Sequence, residues 1–333
     1  MKTDGFFAHA PAKMNLFFDV LRRLNSEYHE IESLVTGISL FDSLYVRPRP
    51  NTPASSRPEE DSVRLTIHIP HGKRFQNLFA RMEIPCDERN LVMRAARLLQ
   101  KIAAEKFPKS PYLPCADIIL TKRIPAQAGL GGGSSDAAAT LLALNRLWNL
   151  SLSRDELVAA GASLGCDIPL FFTPLPVICR GRGEILENIP RHETLPRLDF
   201  VLLCPPVGLS TARVYQACTP RESCTETLRN LEPASGNQNM THLLETWRKN
   251  DLAGISRHLF NRLQPAAKSL SPWISEIESA FRNLADPCVG FSMTGSGSAF
   301  FGLCRDGKHA KNVAELLKRQ KIGEVFTVYS VAA

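Results

Sequence analysis

Residues 122–148 read KRIPAQAGLGGGSSDAAATLLALNRLW, with Gly129, Gly131, Gly132 and Gly133 directly ahead of Ser134 and Ser135. Glycine lets a backbone approach an anion with no side chain between them. Where such a stretch opens a helix, unpaired N–H groups and the positive end of the helix dipole converge on one point, which can hold phosphate. The same composition also makes a plain packing turn. No Gly-Lys-Ser/Thr closes the stretch, and its spacing is Gly-x-Gly-x-x-Ser, so it is neither a Walker loop nor a dinucleotide fingerprint.

Three other segments carry residues with chemical potential. In APAKMNLFFDV, Lys13 and Asn15 are two apart, hence on one face of a strand, and the apolar neighbours of Lys13 predict its partial burial. In GASLGCDIPLFF, Asp167 stands between a helix end and an apolar run, which predicts an acid near the interior; a turn or cap aspartate is the other reading. In GFSMTGSGSAFFGLC, Gly295 and Gly297 follow a strand-like stretch, the usual mark of a β-hairpin.

These residues need elements to hold them. ADIILTKRIP reads as a strand delivering the chain to the glycines. Beyond them Ala137, Leu141, Leu144 and Trp148 share one helical face, Ser134 or Ser135 can cap, and Asp136 suits the first turn. Ser153 and Glu156 form a capping box for a helix that Gly165 ends. NLVMRAARLLQKIAAEKF predicts a helix facing the core with Leu91, Ala95, Leu98 and Ile102. DSLYV and VRLTIHI are strand-like, with a Pro- and Ser-rich exposed loop at 47–62 between them. Helical patterns recur around 241–262 and 273–284, while 219–239 reads as loop or short helix.

The 333 residues exceed the size of one core and predict two domains, divided as 1–178 and 179–333. Hydrophobic residues at 44% and charged residues at 22% are those of a soluble globular protein, and no apolar run nears the ~18 residues of a membrane span. Without a secretory leader pattern in the first residues, a cytoplasmic location is expected. Nine scattered cysteines with no Cys-x-x-Cys pair argue against a disulfide framework or structural zinc. A net charge of +7 admits an acidic partner, but the basic residues are dispersed, which favours a solvated surface over a nucleic-acid groove.

Taken in order, PAKMN, AGLGGGSSDAAA and MTGSGSAFF resemble the three motifs of the GHMP kinase superfamily. The segments SEYHEIESL, NLVMRAARLL, GASLGCDIPLFF and GRGEIL narrow the resemblance to the branch whose acceptor is 4-diphosphocytidyl-2-C-methyl-D-erythritol, over about residues 8–305. The chain departs from that pattern at Glu27, where glycine is usual, at Ala126-Gln127-Ala128 in the phosphate loop, and in the 47–62 loop.

The resemblance implies an α+β fold of two domains, the N-terminal one like ribosomal protein S5 domain 2 and the C-terminal one ferredoxin-like, with the active site in a cleft between them. It implies transfer of the ATP γ-phosphate to the acceptor's 2-hydroxyl, a step of the non-mevalonate route to isoprenoids. Asp167 is then the base and Lys13 its electrostatic partner. Pro125, Ala126, Gln127, Ala128, Gly129, Leu130, Gly131, Gly132, Gly133, Ser134 and Ser135 wrap the ATP phosphates. Mg2+ arrives with the nucleotide, with Ser134 or Ser135 as side chains it could touch. Asn15 orients the erythritol end, Tyr28 stacks on cytosine, and His29 reads the cytosine edge. Tyr215 is either a second stacking ring or a core tyrosine. Competing readings are a mevalonate- or homoserine-type kinase and, from another class, an RNA-binding protein. SEYHEIES argues against the first, and the missing clustered Arg/Lys with aromatics against the second.

Overall fold

The computed structural model describes residues 5–24, 28–49, 62–72, 75, 79, 84–108, 114–190, 195–223 and 236–331. The chain forms two compact units, Met1–Ala12 with Leu40–Ile124 and Gly131–Phe172, and Lys13–Ser39 with Pro125–Leu130 and Thr173–Ala333. Two long strands, β1 (Phe6–Arg23) and β2 (His29–Pro48), each contribute to both.

In the first unit, β2 runs antiparallel to β4 (Ala116–Thr121), from Ser43 opposite Thr121 to Pro48 opposite Ala116. Strand β3 (Val63–His68) lies parallel to β4 and alternates buried Val63 and Leu65 with exposed Arg64 and Thr66. Both strand expectations for this region hold. Helix α1 (Leu91–Lys106) is capped by Asn90, whose Oδ1 accepts from Val92 N at 3.0 Å.

The buried face of α1 is Val92, Ala95, Ala96, Leu99 and Ala103, rotated from the expected one, and Leu91, Leu98 and Ile102 are only half-buried. The helix packs on α2 (Gly132–Leu147). That neighbour buries Ala137, Ala138 and Ala139, so close approach selects the small residues of α1 rather than its leucines.

Helix α2 buries Ala137, Leu141 and Leu144 as expected, with Trp148 half-buried at its end. Its start corrects the sequence reading. Gly131, at φ 69°, is the N-cap, so Ser134 and Ser135 lie inside the first turn and cap nothing. Asp136 does not serve the helix dipole in the first turn either; it is buried in an ion pair. Helix α3 (Arg154–Leu164) has the expected capping box, Glu156 N donating to Ser153 Oγ at 3.3 Å and Ser153 N to Glu156 Oε2 at 2.7 Å. Gly165 ends it.

The second unit holds a sheet in the order β2, β11 (Glu324–Val331), β7 (Asp199–Cys204), β10 (Phe300–Cys304) and β9 (Gly290–Met293), antiparallel throughout. The hairpin of β5 (Val177–Arg180) and β6 (Ile185–Asn188) pairs with β2 at Ser33–Val35. Its helices are α4 (Thr211–Ala217), α5 (Gly236–Arg248), α6 (Leu252–His258), α7 (Leu263–Leu270), α8 (Pro272–Arg282) and α9 (Gly307–Gln320). The helical pattern at 241–262 ends early, because Phe260–Asn261 form β8, parallel to β1 at Phe17 and Phe18. Phe281, Phe300, Ile277 and Leu317 are central to this unit's core.

Of the expected loop at 47–62, Arg47 and Pro48 still belong to β2, and residues 50–61 lie outside the described residues, as do 224–235 of the 219–239 stretch. Among the described residues, eight cysteines form no disulfide, and no helix is long and apolar enough to cross a membrane.

Candidate active site

Strand β1 places Lys13 and Asn15 on one face, and both are buried. Lys13 Nζ donates to Asn15 Oδ1 at 2.5 Å, while the Lys13 backbone N–H donates to Leu130 O at 2.9 Å and joins the strand to the glycine stretch. Asn15 donates through Nδ2 to Ser33 Oγ at 2.8 Å and through its backbone N–H to Thr294 Oγ1 at 3.0 Å. Both side-chain polar atoms of Asn15 and its backbone N–H thus have partners.

Within the second unit, residues 125–130 run against the loop that joins β9 to β10. A Cβ on Gly129 would lie 2.2 Å from Thr294 O, and φ here is +76°, so only glycine fits. Gly295 returns the contact, since its own Cβ would meet Gly129 O and Lys13 Nζ, each at 3.0 Å. Ala299 N donates to Ala128 O at 3.2 Å. The segment 290–304 is therefore a hairpin, as its spacing predicts, and its loop also braces the glycines.

Within the first unit, the stretch passes into α2. The first helical bond runs from Ser135 N to Gly131 O at 2.9 Å, so the N–H groups of Gly132, Gly133 and Ser134 precede any helical acceptor. Ser135 Oγ is buried with no partner among the described residues. Orphan donors at a glycine-built helix start fit an anion such as the ATP phosphates.

Behind this turn sits a group that sequence reasoning missed. Lys122 Nζ donates to Asp136 Oδ2 at 2.7 Å and also to Asp42 Oδ2, and all three side chains are buried. Asp42 Oδ1 accepts from Ile124 N at 2.9 Å, so the cluster ties the end of β4 to β2 and α2. Burial pushes Asp136 up to about 7 against the pull of Lys122, with Asp42 adding to the rise. Burial alone would lower Lys122, but Asp136 and Asp42 hold its ammonium above the ordinary lysine value. Three charges among apolar residues were the available signal.

Asp167 lies in the turn between α3 and the short 3-10 helix Pro169–Phe172, and it is exposed, which corrects the expectation of an interior acid. The turn sends Ile168, Pro169 and Leu170 inward and leaves the carboxylate in water, where its charge costs least.

At the start of β2, His29 is buried, and its ring stands 5.4 Å from that of Tyr215 on α4, tilted by 37°. Neither His29 ring nitrogen bonds to a described residue. Burial lowers its pKa, and the positive charge of Arg23 adds to this, so the imidazole is neutral at pH 7. Tyr28 is exposed, with the Arg182 guanidinium 4.9 Å from its ring centroid. Tyr215 is only half-buried and takes Phe18 on another side, edge-on at 6.5 Å. The buried imidazole, with both nitrogens unbonded among the described residues and an aromatic ring beside it, has hydrogen-bonding capacity to offer a flat polar ring.

The fold and these motifs define a GHMP kinase: the family described as GHMP kinases N terminal domain matches residues 90–173, and GHMP kinases C terminal matches 241–322. A 4-diphosphocytidyl-2-C-methyl-D-erythritol kinase of Pelotomaculum thermopropionicum is 34% identical over 94% of this chain and 93% of its own. A crystal structure of 4-(cytidine 5'-diphospho)-2C-methyl-D-erythritol kinase matches with a TM-score of 0.70 and 30% identity, over 98% of this chain and 100% of that one. A homoserine kinase from Cytophaga hutchinsonii has the same fold, with a TM-score of 0.69 at 18% identity over 99% and 95% of the two chains. The chain belongs to the 4-diphosphocytidyl-2-C-methyl-D-erythritol kinase family. It is an ATP-dependent phosphotransferase with an alcohol as acceptor.

Proposed function

We propose that the chain transfers the γ-phosphate of ATP to the 2-hydroxyl of 4-diphosphocytidyl-2-C-methyl-D-erythritol, in the methylerythritol phosphate route to isopentenyl diphosphate. The observation that supports this acceptor best is His29. Its two buried nitrogens have no described partner and it faces an aromatic ring, as a reader of a cytosine edge requires. Tyr28 supplies a second aromatic face, and Tyr215 the wall opposite the imidazole.

Residues 125–135 receive the phosphates of ATP, which arrives with Mg2+ as part of the substrate. The backbone N–H groups of Gly132, Gly133 and Ser134 compensate phosphate charge. Asp167, exposed at the surface, accepts the proton of the 2-hydroxyl as the oxygen attacks phosphorus. The Lys13 ammonium stabilises charge on the transferring oxygens, with Asn15 fixing its position through the 2.5 Å bond and orienting the erythritol end. The test is direct. Protein incubated with ATP, Mg2+ and either 4-diphosphocytidyl-2-C-methyl-D-erythritol, mevalonate or homoserine should phosphorylate the first alone. Phosphorylation of either alternative at an equal rate defeats the assignment.

A further inference from the structure

Asn261 belongs to no motif considered above, yet one amide group holds the loop that braces the glycines. It sits at the end of β8, is 6% exposed, and bonds in three directions. Nδ2 donates to Met293 O at 2.7 Å and to Gly295 O at 2.8 Å, while Oδ1 accepts from Leu263 N at 2.9 Å. The last bond fixes the orientation of the amide, because only its oxygen can accept a backbone N–H. All the hydrogen-bonding capacity of the amide donors is spent on the two carbonyls that flank Thr294.

Those carbonyls belong to the 293–294 and 295–296 peptide groups, with the Thr294–Gly295 peptide held between them. Pinning both sets the direction of Thr294, whose carbonyl oxygen is the atom packed 2.2 Å from a Cβ position on Gly129. Its hydroxyl is the acceptor for Asn15 N. One residue further, a Cβ on Gly295 would stand 3.0 Å from Gly129 O and from Lys13 Nζ, so the loop there passes close to both. The amide therefore acts at second hand on both the glycine stretch and the Lys13–Asn15 row. His29 and Tyr215 make none of these contacts.

We propose that Asn261 is a positioning residue for phosphoryl transfer: it sets Thr294 and Gly295 against Gly129 and Lys13, and so shapes the ATP side of the site without touching the nucleotide. This rests on the reading that residues 125–135 receive ATP. Asn261→Asp keeps the size and the acceptor for Leu263 N but turns carboxylate lone pairs towards two carbonyl oxygens. Displacements of about 1 Å in such a frame are felt strongly in transfer rate.

The experiment measures kcat, the KM for ATP and, by calorimetry, the affinity for CDP in wild type, Asn261→Asp, Asn261→Ser and Gly129→Ala. Asn261→Asp should raise the KM for ATP and lower kcat by about tenfold or more each, with CDP affinity within about twofold of wild type. Asn261→Ser, which retains one donor, should fall between, and it decides the matter if the aspartate variant does not fold. A purely structural residue would lower the melting temperature and scale both ligands alike. Folded Asn261 variants with normal ATP kinetics, or with equal losses for ATP and CDP, overturn the proposal while Gly129→Ala is impaired. Normal ATP kinetics in Gly129→Ala instead removes ATP from the loop, and this proposal falls with that reading.

Discussion

The rings of His29 and Tyr215 stand 5.4 Å apart, and both imidazole nitrogens are buried without a partner among the described residues. A buried donor and acceptor left unmade cost about 1–3 kcal/mol each, so a ligand that satisfies them gains in affinity and in selectivity. Cytosine offers an amino donor beside a bare ring nitrogen, and uracil reverses that order. CDP should therefore compete with the acceptor more strongly than UDP, and neither should compete with ATP. His29→Ala should narrow the CDP-over-UDP preference, whereas Tyr28→Ala should weaken both through lost stacking. Equal competition by UDP and CDP in wild type would remove His29 as the reader of the base.

Gly129→Ala should raise the KM for ATP at least about tenfold and leave CDP affinity nearly unchanged. The new methyl would stand 2.2 Å from Thr294 O at a φ of +76°, so either the glycine stretch or the hairpin loop must shift. Calorimetry with each ligand, beside a melting curve, separates this local effect from general unfolding, which would impair both.

Asp167→Asn should reduce kcat by about 10²–10⁴-fold with little change in ATP or CDP affinity, since it removes the proton acceptor and keeps the shape. The residue's exposure favours a clean result, because no buried partner is stranded by the change. Single-turnover measurements that show near-normal transfer would exclude Asp167 as the base.

Much of this site was legible in the sequence because its signals are local. The glycines ahead of an amphipathic helix, the alternation of Lys13 and Asn15 along a strand, and the capping box before Asp167 each need only neighbours in the chain. What escaped depends on partners far away. Asp42 and Lys122 are 80 residues apart and meet only through the pairing of β2 with β4. Asn261 lies 34 residues from Gly295 and looks like an ordinary loop asparagine until β8 is seen. The rotated face of α1 has the same origin, since alanines were chosen by the approach of α2, which no periodicity in α1 reveals. Asp167 was misplaced for the opposite reason: its apolar successors turn inward and it does not follow them.

The buried cluster of Lys122, Asp42 and Asp136 should govern how stability varies with pH. Asp136 is pushed up to about 7 in the folded chain from an ordinary 3.8, so between those values the folded state binds the extra proton. Stability from this group is accordingly highest at the acid end of that window and declines as pH rises towards 7. Asp136→Asn should flatten the decline, because Lys122 and Asp42 then form a balanced pair. Lys122→Met should do the reverse, leaving two carboxylates buried without their cation, at a cost of about 3–5 kcal/mol at pH 8 and less at pH 5. Urea unfolding of the three proteins at both pH values measures each difference. A Lys122→Met penalty equal at pH 5 and pH 8 would show that the two carboxylates do not compete for the one ammonium.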